Sequence, residues 1–198
     1  MTVLTTAIGY LLGALPTAGW LGKWLKGIDL RNVGSGNPGA NNALQTGGAG
    51  LAVAVLMVEM AKGAAAVLIG ERLGGEAAAV TAGLGAVAGN LYNVFYRFKG
   101  GKGLGITAGI IVTAWPTALV PCILVIALGA RLTRSSGAAA IIAIVALVAM
   151  GATWMAFDLP VGWGLSRPGL LMLLALGVGV LIWPKHWAVA RFTRSSPA

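Results

Sequence analysis

The apolar residues of this chain lie in six long segments that shorter polar breaks separate. The segments run roughly over residues 3–22, 49–70, 77–96, 105–130, 138–157 and 169–183. A helix needs about 20 mostly apolar residues to cross the hydrocarbon core of a bilayer, and long apolar runs with few charges are typical of such helices. The pattern therefore predicts an all-α polytopic membrane protein, with residues 1–198 forming a single integral membrane domain.

The fourth segment allows two interpretations because Trp115–Pro116 and Pro121 interrupt it. Proline removes a backbone donor, so it either kinks a helix or ends it. One kinked helix over this segment gives six membrane spans. Two short helices that meet at Trp115–Pro116 give seven.

The distribution of cationic residues favours seven transmembrane helices. With the N-terminus outside, that count places eleven of the fourteen Lys and Arg residues in inner loops and only Arg72 and Arg167 in outer loops. Six spans would place seven cations inside and six outside. Because cytoplasmic loops carry the excess of Lys and Arg, we predict an N-terminus outside and a cytoplasmic C-terminus. The eleven inner cations are Lys23, Lys26, Arg31, Arg97, Lys99, Lys102, Arg131, Arg134, Lys185, Arg191 and Arg194.

Composition agrees with a membrane protein and narrows its partners. Only 10% of the 198 residues are charged, whereas soluble domains carry about 25%. The net charge of +9 is scattered over four loops, which favours anionic lipid and anionic substrates over nucleic acid. One cysteine and one histidine cannot form the usual Cys/His metal cluster, so we expect no such metal site.

The first candidate site is the polar loop from Arg31 to Asn42, "RNVGSGNPGANN". Glycines permit backbone conformations in which several N–H groups converge, and such a nest binds phosphate. The alternative is a simple polar turn rich in turn-forming residues. The residues of interest are Gly34, Ser35, Gly36, Asn37, Gly39, Asn41 and Asn42.

The second candidate site is the loop "FKGGKG", which precedes a helix expected to begin at about Leu104. A helix N-terminus adds partial positive charge and N–H donors for an anion. The loop does not match the Walker pattern, so it does not indicate ATP. A cationic inner loop alone would explain the lysines but not the interleaved glycines. The candidate phosphate ligands are Lys99, Gly100, Gly101, Lys102 and Gly103.

Two further positions carry ionisable side chains of interest. Glu59 and Lys62 lie three residues apart in the second apolar segment and share a helix face; ionisable residues within a membrane are usually functional, although a pair can also serve only to neutralise itself. His186 follows the last apolar segment and is either a solvated interfacial anchor or a phosphate ligand.

These motifs resemble those of the bacterial acyl-phosphate-dependent glycerol-3-phosphate acyltransferases, the PlsY-type enzymes. The resemblance rests on "LGALPTAGWLGKWLKGIDLRNVGSGNPGANNAL" followed by "RFKGGKGLGITAGI". It implies a seven-helix fold and transfer of a fatty acyl group from acyl phosphate to the 1-hydroxyl of glycerol-3-phosphate, which gives lysophosphatidic acid and phosphate in phospholipid synthesis. The resemblance also implies a place in the bacterial cytoplasmic (inner) membrane with the active face cytoplasmic. Membrane lipid is the remaining partner, and no metal or cofactor is implied.

The loops and the resemblance together suggest roles for individual residues. We predict that Ser35, Asn37 and Lys102 are the catalytic residues. Those expected to bind substrate are Gly34, Gly36, Gly39, Asn41, Asn42, Lys62, Lys99, Gly100, Gly101, Gly103, Thr107 and His186.

Several positions depart from the pattern of this family. The chain has Asn41 in place of threonine, Gln45 in place of arginine and Asn90 in place of histidine, and it has no match for the asparagine and acidic residues after His186. Losing a cation at Gln45 removes a charge-assisted partner for phosphate. The alternative function is therefore an altered family member that binds or transports a phosphorylated lipid or acts as a partner subunit.

Overall fold

The computed structural model describes the backbone of residues 1–195 and the side chains of residues 1–190, so Arg191 and Arg194 of the charge count lie outside the described side chains. Within that range every regular element is helical and none is a strand. The elements are α1 (Thr2–Ala14), α2 (Thr17–Lys26), α3 (Ala40–Gly47), α4 (Ala49–Leu91), a 3₁₀ turn (Val94–Tyr96), α5 (Leu104–Ala114), α6 (Pro116–Thr133), α7 (Ser136–Phe157) and α8 (Pro168–Ser195).

The described helices are long and apolar enough for a multi-pass membrane protein. Five segments meet both criteria, among them the combined α1–α2 segment, Thr2–Lys26, and the segment Ala49–Tyr96, and α5 is a shorter apolar helix. The predicted all-α polytopic class is confirmed. The polar break predicted after residue 70 is also present, because Gly74 and Gly75 have non-helical backbone angles inside α4.

The observed helices differ from the predicted segments in three places. The first apolar segment is not one helix, because it breaks at Leu15–Pro16 between α1 and α2. The polar stretch after Lys26 is not all loop, since α3 begins at Ala40 and carries two of the predicted asparagines. The last helix does not end at 183 but continues through Pro184 to Ser195.

Residues Met1–Ile110 form the first of two compact units. In this unit α1 packs tightly against the second half of α4 through small residues. A Cβ added at Gly9 or Gly13 would overlap the carbonyl oxygen of Ala82 or Ala86, and one at Gly89 would overlap that of Tyr10. Two pairs of glycines spaced by four residues, Gly9/Gly13 and Gly85/Gly89, thus let the two helix backbones approach closely.

Residues Ile111–Ala198 form the second unit. The predicted break at Trp115–Pro116 is confirmed, since α5 ends at Ala114 and α6 begins at Pro116. Pro116 has no N–H for the carbonyl of Val112, and the indole Nε1 of Trp163 donates to that oxygen instead at 2.9 Å. The backbone N–H of Leu165 likewise donates to the carbonyl of Ala114 at 2.9 Å. The loop before α8 thus satisfies the carbonyls that the break exposes.

Candidate functional site

The first glycine loop, residues 27–39, is organised by a single buried amide. The Oδ1 of Asn42 in α3 accepts from the backbone N–H of Ser35 at 2.9 Å, and its Nδ2 donates to the carbonyls of Leu30 at 2.8 Å and Val33 at 3.1 Å. Gly34 has φ +57°, and a Cβ there would overlap the Asn42 oxygen. The close contact with Asn42 therefore requires glycine at position 34, and the hydrogen bonds of Asn42 hold the loop in its conformation.

An ion pair and an aromatic contact connect this loop to the segment after α4. Arg31 donates to Asp29 through Nε at 3.0 Å and Nη2 at 2.6 Å, and its guanidinium lies 4.5 Å from the centre of the Tyr96 ring. Lys23 lies 3.6 Å from the same carboxylate. The hydrogen bonds from Arg31 hold the pKa of Asp29 well below its usual range. A cavity of about 270 Å³ borders these groups.

The second glycine loop, residues 97–103, is hydrogen-bonded to the end of α4. The backbone N–H groups of Gly100 and Gly101 donate to the carbonyls of Leu91 at 3.1 Å and Asn90 at 2.9 Å. The N–H of Gly103 donates to Oδ1 of Asn90 at 3.2 Å. As predicted, α5 begins at Leu104 directly after the loop. Three of the N–H groups expected to cradle phosphate are thus used within the protein.

The break between α1 and α2 exposes three successive carbonyls, and each accepts from a side chain. Ala14 O accepts from Nδ2 of Asn93 at 2.7 Å, Leu15 O from Nζ of Lys62 at 2.9 Å, and Pro16 O from the hydroxyl of Tyr96 at 3.2 Å. The oxygens of Leu15 and Pro16 also accept from the backbone N–H groups of Thr17 at 2.9 Å and Trp20 at 3.1 Å, so the side chains add to the backbone bonds at this break. The intramembrane Lys62 therefore has a defined structural partner beside the two loops.

Glu59 lies at the centre of this network. Both Glu59 and Lys62 are only 6% exposed, and Lys62 Nζ donates to Oε1 of Glu59 at 2.8 Å. Thr17 donates to the same oxygen at 3.1 Å, and Nδ2 of Asn90 donates to Oε2 at 2.6 Å. The predicted pairing of Glu59 with Lys62 is confirmed, and the carboxylate has a partner on each oxygen, as a buried charge requires.

The two glycine loops approach each other at this network. A gap of about 10 Å³ is bordered by Pro38 of the first loop, Gly101 of the second loop, Glu59 and Asn90. The gap is large enough for at most one water molecule. Partial burial lowers the pKa of Lys102 between the two tethered glycines.

The remaining predicted site residues differ in their exposure. Ser35, Asn41 and Lys99 are exposed, and Asn37 is half-buried. Thr107 is buried in α5, and its hydroxyl has no hydrogen-bond partner among the described residues. His186 is only 2% exposed, so the interpretation as a solvated anchor does not hold. This histidine lies in the second compact unit.

Sequence reasoning missed Asn90, Asn93, Thr17 and Tyr96 as parts of the site. The sequence does offer a reason to suspect Asn90 and Asn93, because two amides three residues apart at the end of an apolar segment are costly to bury without partners. It offers no reason to suspect Thr17 and Tyr96, since a threonine after proline and an interfacial tyrosine are common features of membrane proteins.

The sequence model of the family described as glycerol-3-phosphate acyltransferase matches residues 3–194 of this chain. The chain belongs to this family. A relative of that name from Synechococcus sp. (strain JA-3-3Ab) is 41% identical over 188 residues, which cover 94% of this chain and 87% of the relative. Another, from Rhodopseudomonas palustris (strain BisB5), is 39% identical over 183 residues, 91% of this chain and 87% of the relative.

Solved structures agree with this assignment. The crystal structure of PlsY (YgiH), an integral membrane glycerol 3-phosphate acyltransferase, in its glycerol 3-phosphate form is similar to this chain with a TM-score of 0.80. The two are 29% identical, and the match covers 98% of this chain and 90% of that one. Its lysophosphatidic acid form has a TM-score of 0.78 and 26% identity, with 98% and 92% covered. The predicted family is confirmed, and with it the prediction of a membrane glycerol-3-phosphate acyltransferase; the non-catalytic alternative is not favoured.

Proposed function

We propose that this protein transfers a fatty acyl group from acyl phosphate to the 1-hydroxyl of glycerol-3-phosphate. Family membership carries the proposal. The geometry supports it, because the two glycine loops border one gap and both substrates carry a phosphate. The gap is too small for phosphate, so the anions are expected on the loop surfaces, where Ser35 and Lys99 are exposed and Lys102 is partly accessible.

The chemistry needs positioning more than a strong base. The 1-hydroxyl oxygen forms a bond to the acyl carbon, the bond from that carbon to the phosphate oxygen breaks, and the hydroxyl proton leaves with the phosphate. Acyl phosphate is already activated, so orientation and cationic stabilisation of the leaving phosphate supply the acceleration. Lys102 is our candidate for that cation, with Ser35 and Asn37 as polar partners of the substrates.

We also propose seven membrane segments with the loops on the cytoplasmic side of the inner membrane. The breaks at Gly74–Gly75 and Trp115 divide the apolar helices into seven segments when α1 and α2 count as one. The positive-inside rule then places both glycine loops in the cytoplasm.

The test is release of phosphate from palmitoyl phosphate by the purified protein in detergent, with and without glycerol-3-phosphate. We expect acceptor-dependent release and lysophosphatidic acid as product. Lys102→Ala should lower kcat/KM by about 100-fold, whereas Lys26→Ala, which removes an exposed cation at the end of α2, should change it little. A folded wild-type protein that shows no turnover would overturn the proposal.

The pH dependence gives a second readout for Lys102. Because burial lowers the pKa of this ammonium group, the wild type should lose activity at a lower alkaline pH than a fully exposed lysine would allow. Arginine stays protonated at any accessible pH, so the residual activity of Lys102→Arg should lack that alkaline decline. An unchanged alkaline decline in this variant would exclude Lys102 as the titrating cation.

A further inference from the structure

Asn90 joins the buried charge pair to the second glycine loop. Its Nδ2 donates to Oε2 of Glu59 at 2.6 Å, and its Oδ1 accepts from the N–H of Gly103 at 3.2 Å. Its own backbone carbonyl accepts from the N–H of Gly101 at 2.9 Å. One buried residue, 8% exposed, therefore contacts the loop at two points and the carboxylate at a third.

The two points of contact lie on either side of Lys102. The N–H of Gly101 fixes the peptide plane that precedes Gly101, and the N–H of Gly103 fixes the plane between Lys102 and Gly103. With both planes held, the Cα–Cβ bond of Lys102 has a defined direction. Gly100 and Gly101 allow this close approach, because a Cβ at Gly100 would overlap the Asn90 carbonyl oxygen and one at Gly101 would lie 2.8 Å from Asn90 Oδ1.

Few side chains can replace Asn90 in this arrangement. The position requires a donor toward the Glu59 carboxylate and an acceptor toward the Gly103 N–H on the same short side chain. A primary amide offers both. Ionised aspartate has no donor and would place a second carboxylate beside Glu59, and an aliphatic side chain offers neither group. A neutral imidazole offers one of each, with one ring nitrogen protonated and the other not.

We propose that Asn90 is a positioning residue that uses the Glu59–Lys62 pair to fix the direction of Lys102 toward a substrate phosphate. The proposal rests on the acyltransferase function proposed above. The Glu59 carboxylate holds the Asn90 amide in one orientation, because Oε2 can accept from the amide nitrogen Nδ2 but cannot bond the amide oxygen. In this orientation Oδ1 faces the N–H of Gly103. Positioning of the cation thus originates in buried polar side chains of α4.

The test compares Asn90→His, Asn90→Leu and Thr5→Ala in the phosphate-release assay, with thermal unfolding measured in parallel. Thr5 is the control, because it is a fully buried polar residue of α1 whose hydroxyl donates to the carbonyl of Thr2 at 3.0 Å in the same helix. Asn90→Leu should lower kcat/KM about tenfold at every pH. Thr5→Ala should lower the unfolding temperature but change kcat/KM by less than about threefold.

Asn90→His should change the pH dependence of KM, which a purely structural role of Asn90 would leave unchanged. At alkaline pH the neutral imidazole should restore kcat/KM to within about threefold of wild type. On acidification the doubly protonated ring can no longer accept from Gly103, so KM for the phosphorylated substrates should rise in this variant and not in the wild type. The titratable groups around this position are Glu59 and Lys62 of α4, Tyr96 of the 3₁₀ turn and Lys102 itself, and all are the same in both proteins.

Each outcome decides a separate claim. An active wild type with equal kcat/KM losses in Asn90→Leu and Thr5→Ala would overturn the role of Asn90 and leave the acyltransferase function intact. An active Asn90→His variant with the pH profile of the wild type would also overturn it. An inactive wild type would instead overturn the function.

Discussion

At the scale of single residues, Glu59 and Lys62 are costly within an apolar helix, and their contacts offset that cost. Each is only 6% exposed, and the pair is held by Thr17, Asn90 and the carbonyl of Leu15. Burying two charges is favourable only when their remaining hydrogen-bonding groups are satisfied. The network therefore stabilises the fold mainly by avoiding an unpaired buried charge.

We predict that the single variants Glu59→Gln and Lys62→Met each lower the free energy of unfolding by about 3–5 kcal/mol, because each leaves the other charge uncompensated. The double variant should lose less than the sum of the two single variants. Thermal unfolding in one detergent measures all four proteins of this cycle. Additive losses would contradict direct coupling between the two side chains.

The Asp29 carboxylate predicts a pH-dependent contribution to stability. Its hydrogen bonds to Arg31 depress its pKa, so its stabilising effect is fully present above its ordinary pKa and declines as the pH falls below about 4. Asp29→Asn should cost at most about 1 kcal/mol at pH 7, and the difference from wild type should shrink in acid. Asp158→Asn is the control, since Asp158 forms no ion pair among the described residues. A difference that stays constant with pH would contradict the prediction.

At the scale of elements, the chain uses broken helices where a simple bundle would have continuous ones. Both Pro16 and Pro116 lack the N–H that would continue the helix, and carbonyls at the two breaks accept from residues distant in sequence, such as Lys62 and Trp163. Irregular backbone within a membrane protein is tolerated when protein groups satisfy it. The break at Pro16 lies beside both glycine loops, so it also brings donors and acceptors to the candidate site.

The glycine contacts between α1 and α4 give a matched pair of variants. A Cβ at Gly13 would overlap the Ala86 carbonyl oxygen, whereas a Cβ at Gly50 meets nothing within 4 Å. Gly13→Ala should therefore destabilise the protein by about 1–3 kcal/mol. Gly50→Ala should stabilise it by about 0.4–1 kcal/mol, because alanine restricts the unfolded chain. Unfolding temperatures that fall equally in both variants would contradict the observed packing.

Sequence patterns predicted the helix breaks unevenly, for a physical reason. The break at Pro116 was predicted because a model without it, with six spans, puts six cations on the opposite side of the membrane. The break at Pro16 changes no such count, so hydropathy alone suggested one segment over 3–22. Within the site, the spacing of Glu59 and Lys62 predicted their contact because three residues make nearly one helical turn. The contact between Asn90 and Gly103 depends on the fold of the loop, and no local pattern specifies it.

At the scale of the whole molecule, the described helices and the family assignment define a multi-pass membrane acyltransferase. The chain forms two compact units, Met1–Ile110 and Ile111–Ala198, and the first contains both glycine loops and the buried charge network. The single domain over 1–198 and the individual roles of the predicted site residues stay predictions.

The proposed orientation is testable by labelling single cysteines in intact cells. In a Cys122→Ala background, Glu71→Cys should react with a membrane-impermeant maleimide from outside, and Gln45→Cys only after permeabilisation. Both positions are exposed, and neither removes a cation that determines orientation. If the cysteine at position 45 reacted in intact cells and the one at position 71 were protected, the proposed orientation would be wrong and the glycine loops would lie outside.

The spacing of Glu59 and Lys62 also has a consequence for biosynthesis. The two residues leave the ribosome almost together, so this segment can enter the bilayer as a self-neutralised unit. Leu15 and Thr17, the other partners of the lysine, have by then already been translated, whereas Asn90 follows 31 residues after Glu59. The carboxylate therefore enters the membrane with its charge matched, and the amide that links it to the glycine loop joins last.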